Sequence, residues 1–180
     1  MFLDQNKTKI QNMLSDLVGK ANGEKEESKA EWDYASYDMY IDNALALNKT
    51  IITFADTYYF SIACDATKQN ENGTYSPVKS KMESLFISSS EEMGAFTGVT
   101  KGGYVIDESW QRNDGLVNTI SALAPSDAPV TDFDENNVIP GVWNIMPVYA
   151  GDHMALQGGL LKTNDVKDLY VEHLSMINKL

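Results

Sequence analysis

The sequence predicts an α/β fold, and three observations carry the prediction. An amphipathic helix opens the chain, a second closes it, and between them lie two short apolar runs rich in β-forming residues. A long excursion dense in glycine and serine separates the two runs. Helix, strand, excursion, strand, helix is the order of an α/β layer packing. Two strands make a poor sheet by themselves, so the order also implies a domain whose sheet is incomplete within these 180 residues.

The first helix rests on Ile10, Met13, Leu14, Leu17 and Val18, which fall on one face at helical spacing. Thr8 is its N-cap candidate and Gly19 its stop. Residues 20–31 are polar, mixed in charge and aperiodic, which makes them an exposed connection. Asp42 is placed to cap a short helix through Ala44–Leu47 that closes near Asn48. The run Thr57–Ala63, between Asp56 and Asp65, reads as a strand buried on both faces. Residues 66–103 carry six glycines or prolines and three consecutive serines, and are expected to be loops with little regular structure. Gly141–Tyr149 is the second strand, with Pro147 near its end or at an edge, since proline cannot donate to a ladder. The last helix shows an unbroken stripe of Val166, Leu169, Tyr170, His173, Leu174 and Ile177, capped by Asn164 or Thr163. No internal repeat of 20–50 residues is visible.

Charge and composition remove several classes of function. A net charge of −12 opposes binding to a phosphate backbone, which is held by clustered Lys and Arg. No apolar run reaches the roughly 18 residues of a transmembrane helix. Met1–Asp4 is charged by its fourth residue, with no apolar signal core behind it, so no signal peptide is expected in this chain. Cys64 is the one cysteine, which excludes an internal disulfide framework and a multi-thiolate zinc site.

With two histidines, candidates for acid–base chemistry are few. His173 lies on the apolar stripe of the last helix and reads as a packed, hydrogen-bonded core or interface residue. His153 follows the second strand on a Gly-containing turn, where α/β folds collect ligands and catalytic side chains. Asp114, at a glycine turn ahead of Leu116 and Val117, has two readings. It caps the backbone that follows, or it holds Nδ1–H of His153 and leaves Nε2 free as a base. The chain order, acid before histidine, agrees with that of α/β-hydrolases. Asp132, Asp134 and Asn136 begin like a calcium loop, but Asn137 stands where glycine is needed and Trp143 where glutamate is needed. They read as a solvated acidic loop.

The blocks Trp110–Asn118, Gly141–Asn144 and Asp152–Met154 resemble the C-terminal part of the Staphylococcus and Geobacillus type of secreted bacterial triacylglycerol lipase. Upstream, Tyr58–Ser61, Tyr37–Asp38 and Leu3–Gln5 extend the resemblance over nearly the whole chain. It implies that residues 1–180 are the C-terminal portion of one lipase-like α/β-hydrolase domain, with Asp114 as the triad acid and His153 as the triad base. It also implies lipid or ester substrates and an extracellular location.

The departures are specific. No G-x-S-x-G or A-x-S-x-G occurs, and in the family the serine elbow and oxyanion hole lie upstream of everything present here. Cys64 has no glycine among its neighbours to form such an elbow, so it reads as a small strand residue; Ser61 and Ser88–Ser90 lack an elbow too. The calcium carboxylates two and about seven residues after the family's histidine are replaced by Ala155 and Leu160, so calcium is not expected, with Asp165 the nearest acid. Asp33 falls at one aspartate of the family's zinc site, whose three partners would lie upstream, so zinc is expected only with the upstream half.

Three readings follow. One is an ester hydrolase contributing the triad Asp and His, inactive alone, and dependent on a missing N-terminal half or an oligomeric partner. Another is a non-catalytic lipase-like module that binds a lipid or a protein. A third, an unrelated α/β protein with a chance match, gains ground if Asp114 and His153 lie far apart, since a side-chain separation beyond about 4 Å with no bridging water would sink the dyad.

Overall fold

The computed structural model describes residues 37, 39–159 and 165–180. The helix expected near residues 8–19, the connection at 20–31, Asp33, Leu160 and the caps at 163 and 164 lie outside these residues.

Sheet pairing begins where the aromatic run begins. Strand β1 (Tyr59–Ser61) lies parallel to β7 (Trp143–Ile145), in the register Tyr59 to Trp143 and Ser61 to Ile145. On the far side of β7 runs β6 (Val130–Asp132), also parallel, so the order is β1-β7-β6. Both expected strands are present and shorter than their apolar runs. The pairing does not simply stop, however: Met146 N donates to Ser61 O, and beyond Pro147 the ladder resumes with Tyr149 N on Ala63 O and Asp65 N on Tyr149 O. Proline thus marks an interruption within the second run.

Strand β1 is half-buried rather than buried on both faces. Tyr59 stacks on Trp143 at 5.3 Å between ring centroids, while Phe60 meets Phe133 and His173 at 6.3 and 4.9 Å. Strand β6 falsifies the reading of Asp132 as part of a loop. Three residues flanked by Pro129 and an acidic turn give too short a pattern to show alternation. A polar residue occupies the centre of the sheet: fully buried Asn144 donates to Tyr59 O, Ile139 O and Val142 O and accepts from Ile139 N. That satisfaction is what permits an amide at a central-strand position.

The excursion at 66–103 is more regular than expected. It contains an antiparallel hairpin, β2 (Thr67–Gln69) with β3 (Tyr75–Pro77), then a helix, then β4 (Gly98–Val99), whose hairpin partner β5 (Val105–Ile106) follows just past residue 103. The helix spans Ile87–Ala95 and buries Ser89, Ser90, Met93 and Gly94. Its small face is what disguised it, because serine and glycine weigh against a helix in sequence. The same smallness lets it pack closely: a Cβ on Gly94 would sit 2.1 Å from Tyr75 O.

With that helix as α2, α1 is Ile41–Asn48 and α3 is Asp165–Ile177. Asp42 does not cap α1; the N-cap position is Tyr40. The Asp42 carboxylate instead accepts from Thr100 Oγ1 at 2.5 Å and Gly102 N at 2.7 Å, fastening the β4–β5 turn to α1. The stripe of α3 is split. Val166 and Met176 are buried and His173 meets Phe60, whereas Tyr170, Leu174 and Ile177 are exposed. Among the described residues, no helix is long and apolar enough to cross a membrane.

Among the described residues, two small cores result. Ala66, Met82 and Phe86 pack with Leu85, Ile87, Leu116 and Met154. Ile41, Ile106 and Trp110 pack with Leu45 and Phe96. Large apolar side chains remain in water before β1, with Ile52 71% and Phe54 61% exposed.

Candidate active site

The acid and the histidine are delivered by two turns that the sheet and α2 hold together. Asp114 sits in a tight turn closed by Asp114 N on Val117 O and by an antiparallel bridge between Asn113 and Asn118. Fully buried Asn113 shapes it, with Nδ2 donating to Gln111 O and Ser90 O and Oδ1 accepting from Gly115 N. Gly115 has φ +96°, a left-handed conformation, and a Cβ there would lie 2.5 Å from Phe86 Cβ. Ser89 Oγ donates to Gly115 O, tying the turn to α2.

The Asp114 carboxylate makes both sets of contacts at once. Oδ1 accepts from Leu116 N at 2.9 Å and Val117 N at 2.7 Å, which is the backbone cap. Oδ2 lies 2.9 Å from His153 Nδ1. The two oxygens divide structural and orienting work, and the separation lies well inside the roughly 4 Å beyond which the pair would fail. Asp114 is 6% exposed.

His153 arrives from the end of the β7 run. After Tyr149 the chain turns through Gly151, whose missing side chain leaves room for Ala155 and the Tyr149 ring. His153 N donates to Asp114 O at 2.9 Å, so backbone and side chain bind the same residue. The Phe86 ring lies edge-on to the imidazole at 6.1 Å. The hydrogen bond to Asp114 raises the imidazole pKa above its ordinary 6.5; burial opposes this, and the charges of Asp114 and Asp152 reinforce it. With Nδ1 committed to a carboxylate, the free ring nitrogen is Nε2.

The remaining candidates do not join this pair in chemistry. Cys64 is buried beneath it, and burial with the nearby charges of Asp114 and Asp152 pushes its thiol up to about 12. A thiol so disfavoured as thiolate is not a nucleophile near neutral pH. Ser89 spends its hydroxyl on backbone oxygens. His173 packs against Phe60, but its buried Nδ1 has no hydrogen-bond partner among the described residues, where the sequence predicts a hydrogen-bonded residue. Asp134 binds its own Asn136 N in an exposed turn. Ala155 presents a buried methyl where the resemblance places a calcium carboxylate, which does not fit a hard cation. Among the described residues no group of three or more His, Cys, Asp or Glu side chains is placed to hold a metal.

Sequence reasoning missed the supports of the site: Asn113, Phe86, Ser89 and Asp152. The glycine two residues after Asn113 was the available signal for its turn. A cleft of about 630 Å³ lies on the other side of the Asp114 turn, walled by Leu116, Val117, Ile120, Leu45 and Trp110; His153 is not part of its lining.

Several known proteins are similar to this chain. The chain is 28% identical to the lipase of Staphylococcus hyicus over 152 residues, covering 81% of this chain and 21% of the relative. It is 29% identical to Staphylococcus aureus lipase 2 over 136 residues, covering 70% and 17%. The solved structure of EstA from Clostridium botulinum superposes with a TM-score of 0.77 at 31% identity, over 84% of this chain and 36% of that one. The Staphylococcus hyicus lipase structure gives 0.68 at 25% identity, over 84% and 42%. The chain therefore spans about a fifth of the length of the curated relatives it matches. No protein-family model matches it. In sequence and in fold, the chain is a relative of the staphylococcal type of lipase.

Proposed function

We propose that residues 1–180 contribute the acid and base of a lipase-type carboxylic ester hydrolase whose nucleophile and oxyanion hole come from outside these residues. The observation that supports it best is the 2.9 Å hydrogen bond from His153 Nδ1 to a carboxylate whose other oxygen is fixed by backbone amides. In this reading, Nε2 of His153 takes the proton of a serine hydroxyl as it attacks the ester carbonyl. It then returns that proton to the leaving alcohol. Asp114 holds the tautomer and stabilises the imidazolium without itself becoming protonated. The substrates are lipid esters of the triacylglycerol class, hydrolysed outside the cell. Zinc enters only if Asp33 meets partners that these residues do not supply.

A second reading, a non-catalytic lipase-like module for a lipid or protein partner, draws on the missing elbow and on Ala155 in place of a calcium carboxylate. A p-nitrophenyl ester assay on residues 1–180 tests the first reading. It predicts no saturable turnover. Saturable turnover lost in His153→Ala would place a nucleophile within these residues and overturn that division of labour.

A further inference from the structure

A second carboxylate is built into the histidine loop and takes no part in the dyad. Asp152 is 2% exposed, which is costly for a carboxylate unless its oxygens are bonded. Oδ2 accepts from Glu83 N at 2.6 Å, across 69 residues of chain, and Oδ1 accepts from Met154 N at 3.1 Å. The bond to Glu83 falls at the head of a turn closed by Phe86 N on Glu83 O, and Phe86 is the residue whose ring stands against the imidazole. Two walls thus confine His153. Asp114 forms one through Nδ1, and Phe86 forms the other through its ring edge. Asp152 ties the second wall to the loop bearing the histidine through a hydrogen bond, beside the packing of Met154 of the same loop on the core that contains Phe86. The rest of that loop has little polar side-chain reach, since Gly151 and Ala155 flank it.

We propose that Asp152 is the positioning residue of His153: its carboxylate latches the histidine loop to the Glu83–Phe86 turn and so fixes the direction in which Nε2 is presented. The functional meaning of the latch rests on the proposed role of His153 as base, whereas the latch itself does not. A carboxylate is suited to the task because both its oxygens accept, and a charge-assisted bond to an amide is short and strong.

The test is nuclear magnetic resonance on the full 180-residue chain, read at the His153 ring and the Glu83 amide. In the wild type, a through-hydrogen-bond coupling between the Glu83 amide nitrogen and the Asp152 carboxyl carbon is expected; its absence overturns the latch without any variant. Asp152→Ala is expected to speed exchange of the His153 Nδ1 proton with water about tenfold, the effect of losing one charge-assisted bond. Asp152→Asn, which keeps one acceptor oxygen for Glu83 N–H, is expected to restore most of the protection. Wild-type exchange in Asp152→Ala, or equal exchange in both variants, would overturn the proposal. None of these readouts uses ester turnover, so failure of the hydrolase reading and failure of the latch are separately visible.

Discussion

Asp114 binds His153 twice, with its backbone oxygen on the histidine amide and its Oδ2 on Nδ1, both at 2.9 Å. The double contact makes the loop carrying the histidine and the turn carrying the acid one rigid unit. Removing the carboxylate strands two backbone donors and one ring donor in a half-buried place. Asp114→Ala should therefore lower unfolding free energy by about 3 kcal/mol, and Asp114→Asn by less, because one acceptor remains. Denaturant titration checks this; a loss below about 1 kcal/mol would mean the turn does not depend on the carboxylate.

The pH dependence of the pair has a definite sign. The folded pKa of His153 lies above 6.5, chiefly through the hydrogen bond to Asp114. Stability from the imidazolium–carboxylate contact is then fully present below 6.5 and is lost as pH rises through the folded value. A resonance titration of the ring should give a value above 6.5 in the wild type and a lower one in Asp114→Asn. A wild-type value at or below 6.5 would contradict the contact.

His173 should behave in the opposite way. Burial disfavours its cation and lowers its pKa, so the unfolded chain takes up this proton first as the medium is acidified. Its contribution to holding α3 on β1 is present above 6.5 and is lost as pH falls towards the folded value. Acid-induced loosening of α3, followed by amide exchange, should be reduced in His173→Phe. Equal acid sensitivity in both proteins would remove His173 from the account.

Two glycines with the same backbone sign separate strain from crowding. Gly73 and Gly115 have φ of +89° and +96°, but a Cβ on Gly73 meets nothing within 4 Å, whereas one on Gly115 meets Phe86. Gly73→Ala should cost about 1 kcal/mol and Gly115→Ala about 3 kcal/mol. Similar costs for both would mean Phe86 gives way freely, and the wall beside His153 would not be firm.

Cys64 should be chemically silent. With its thiol pushed up to about 12 and its side chain buried, it should resist thiol reagents at neutral pH until the protein unfolds. Rapid labelling of the native chain would show that the region beneath the dyad opens.

The turns carrying Asp114 and His153 were legible in the sequence because they are written in residues with few alternative uses, whereas the pairing of the two rested on the family resemblance. An Asn-Asp-Gly turn and a Gly-Asp-His turn each fix a backbone and place an ionisable group at once. The helices at Ile41–Asn48 and Asp165–Ile177 were legible from apolar spacing. Where reading failed, the signal was short or shared. Strand β6 and the hairpin of β4 with β5 have only two or three paired residues, too few for a period of two to show. Helix α2 buries serines and glycine, so its inner face looks polar. Tyr170 and Leu174 extend the stripe of α3 in sequence, yet they are exposed, while Val166 and Met176 are buried and His173 meets Phe60 of β1. Asp152 was invisible as a support because its partner, the Glu83 amide, is a backbone group that any residue would supply.

The most direct test of the central claim restores what the proposal says must come from elsewhere. Residues of this chain would replace the matched 42% of the Staphylococcus hyicus lipase structure, leaving the remainder of that lipase in place. The account predicts that the folded chimera hydrolyses p-nitrophenyl esters, and that His153→Ala and Asp114→Ala each abolish nearly all of the turnover. A folded chimera without turnover, or turnover indifferent to His153→Ala, would contradict the assignment of acid and base.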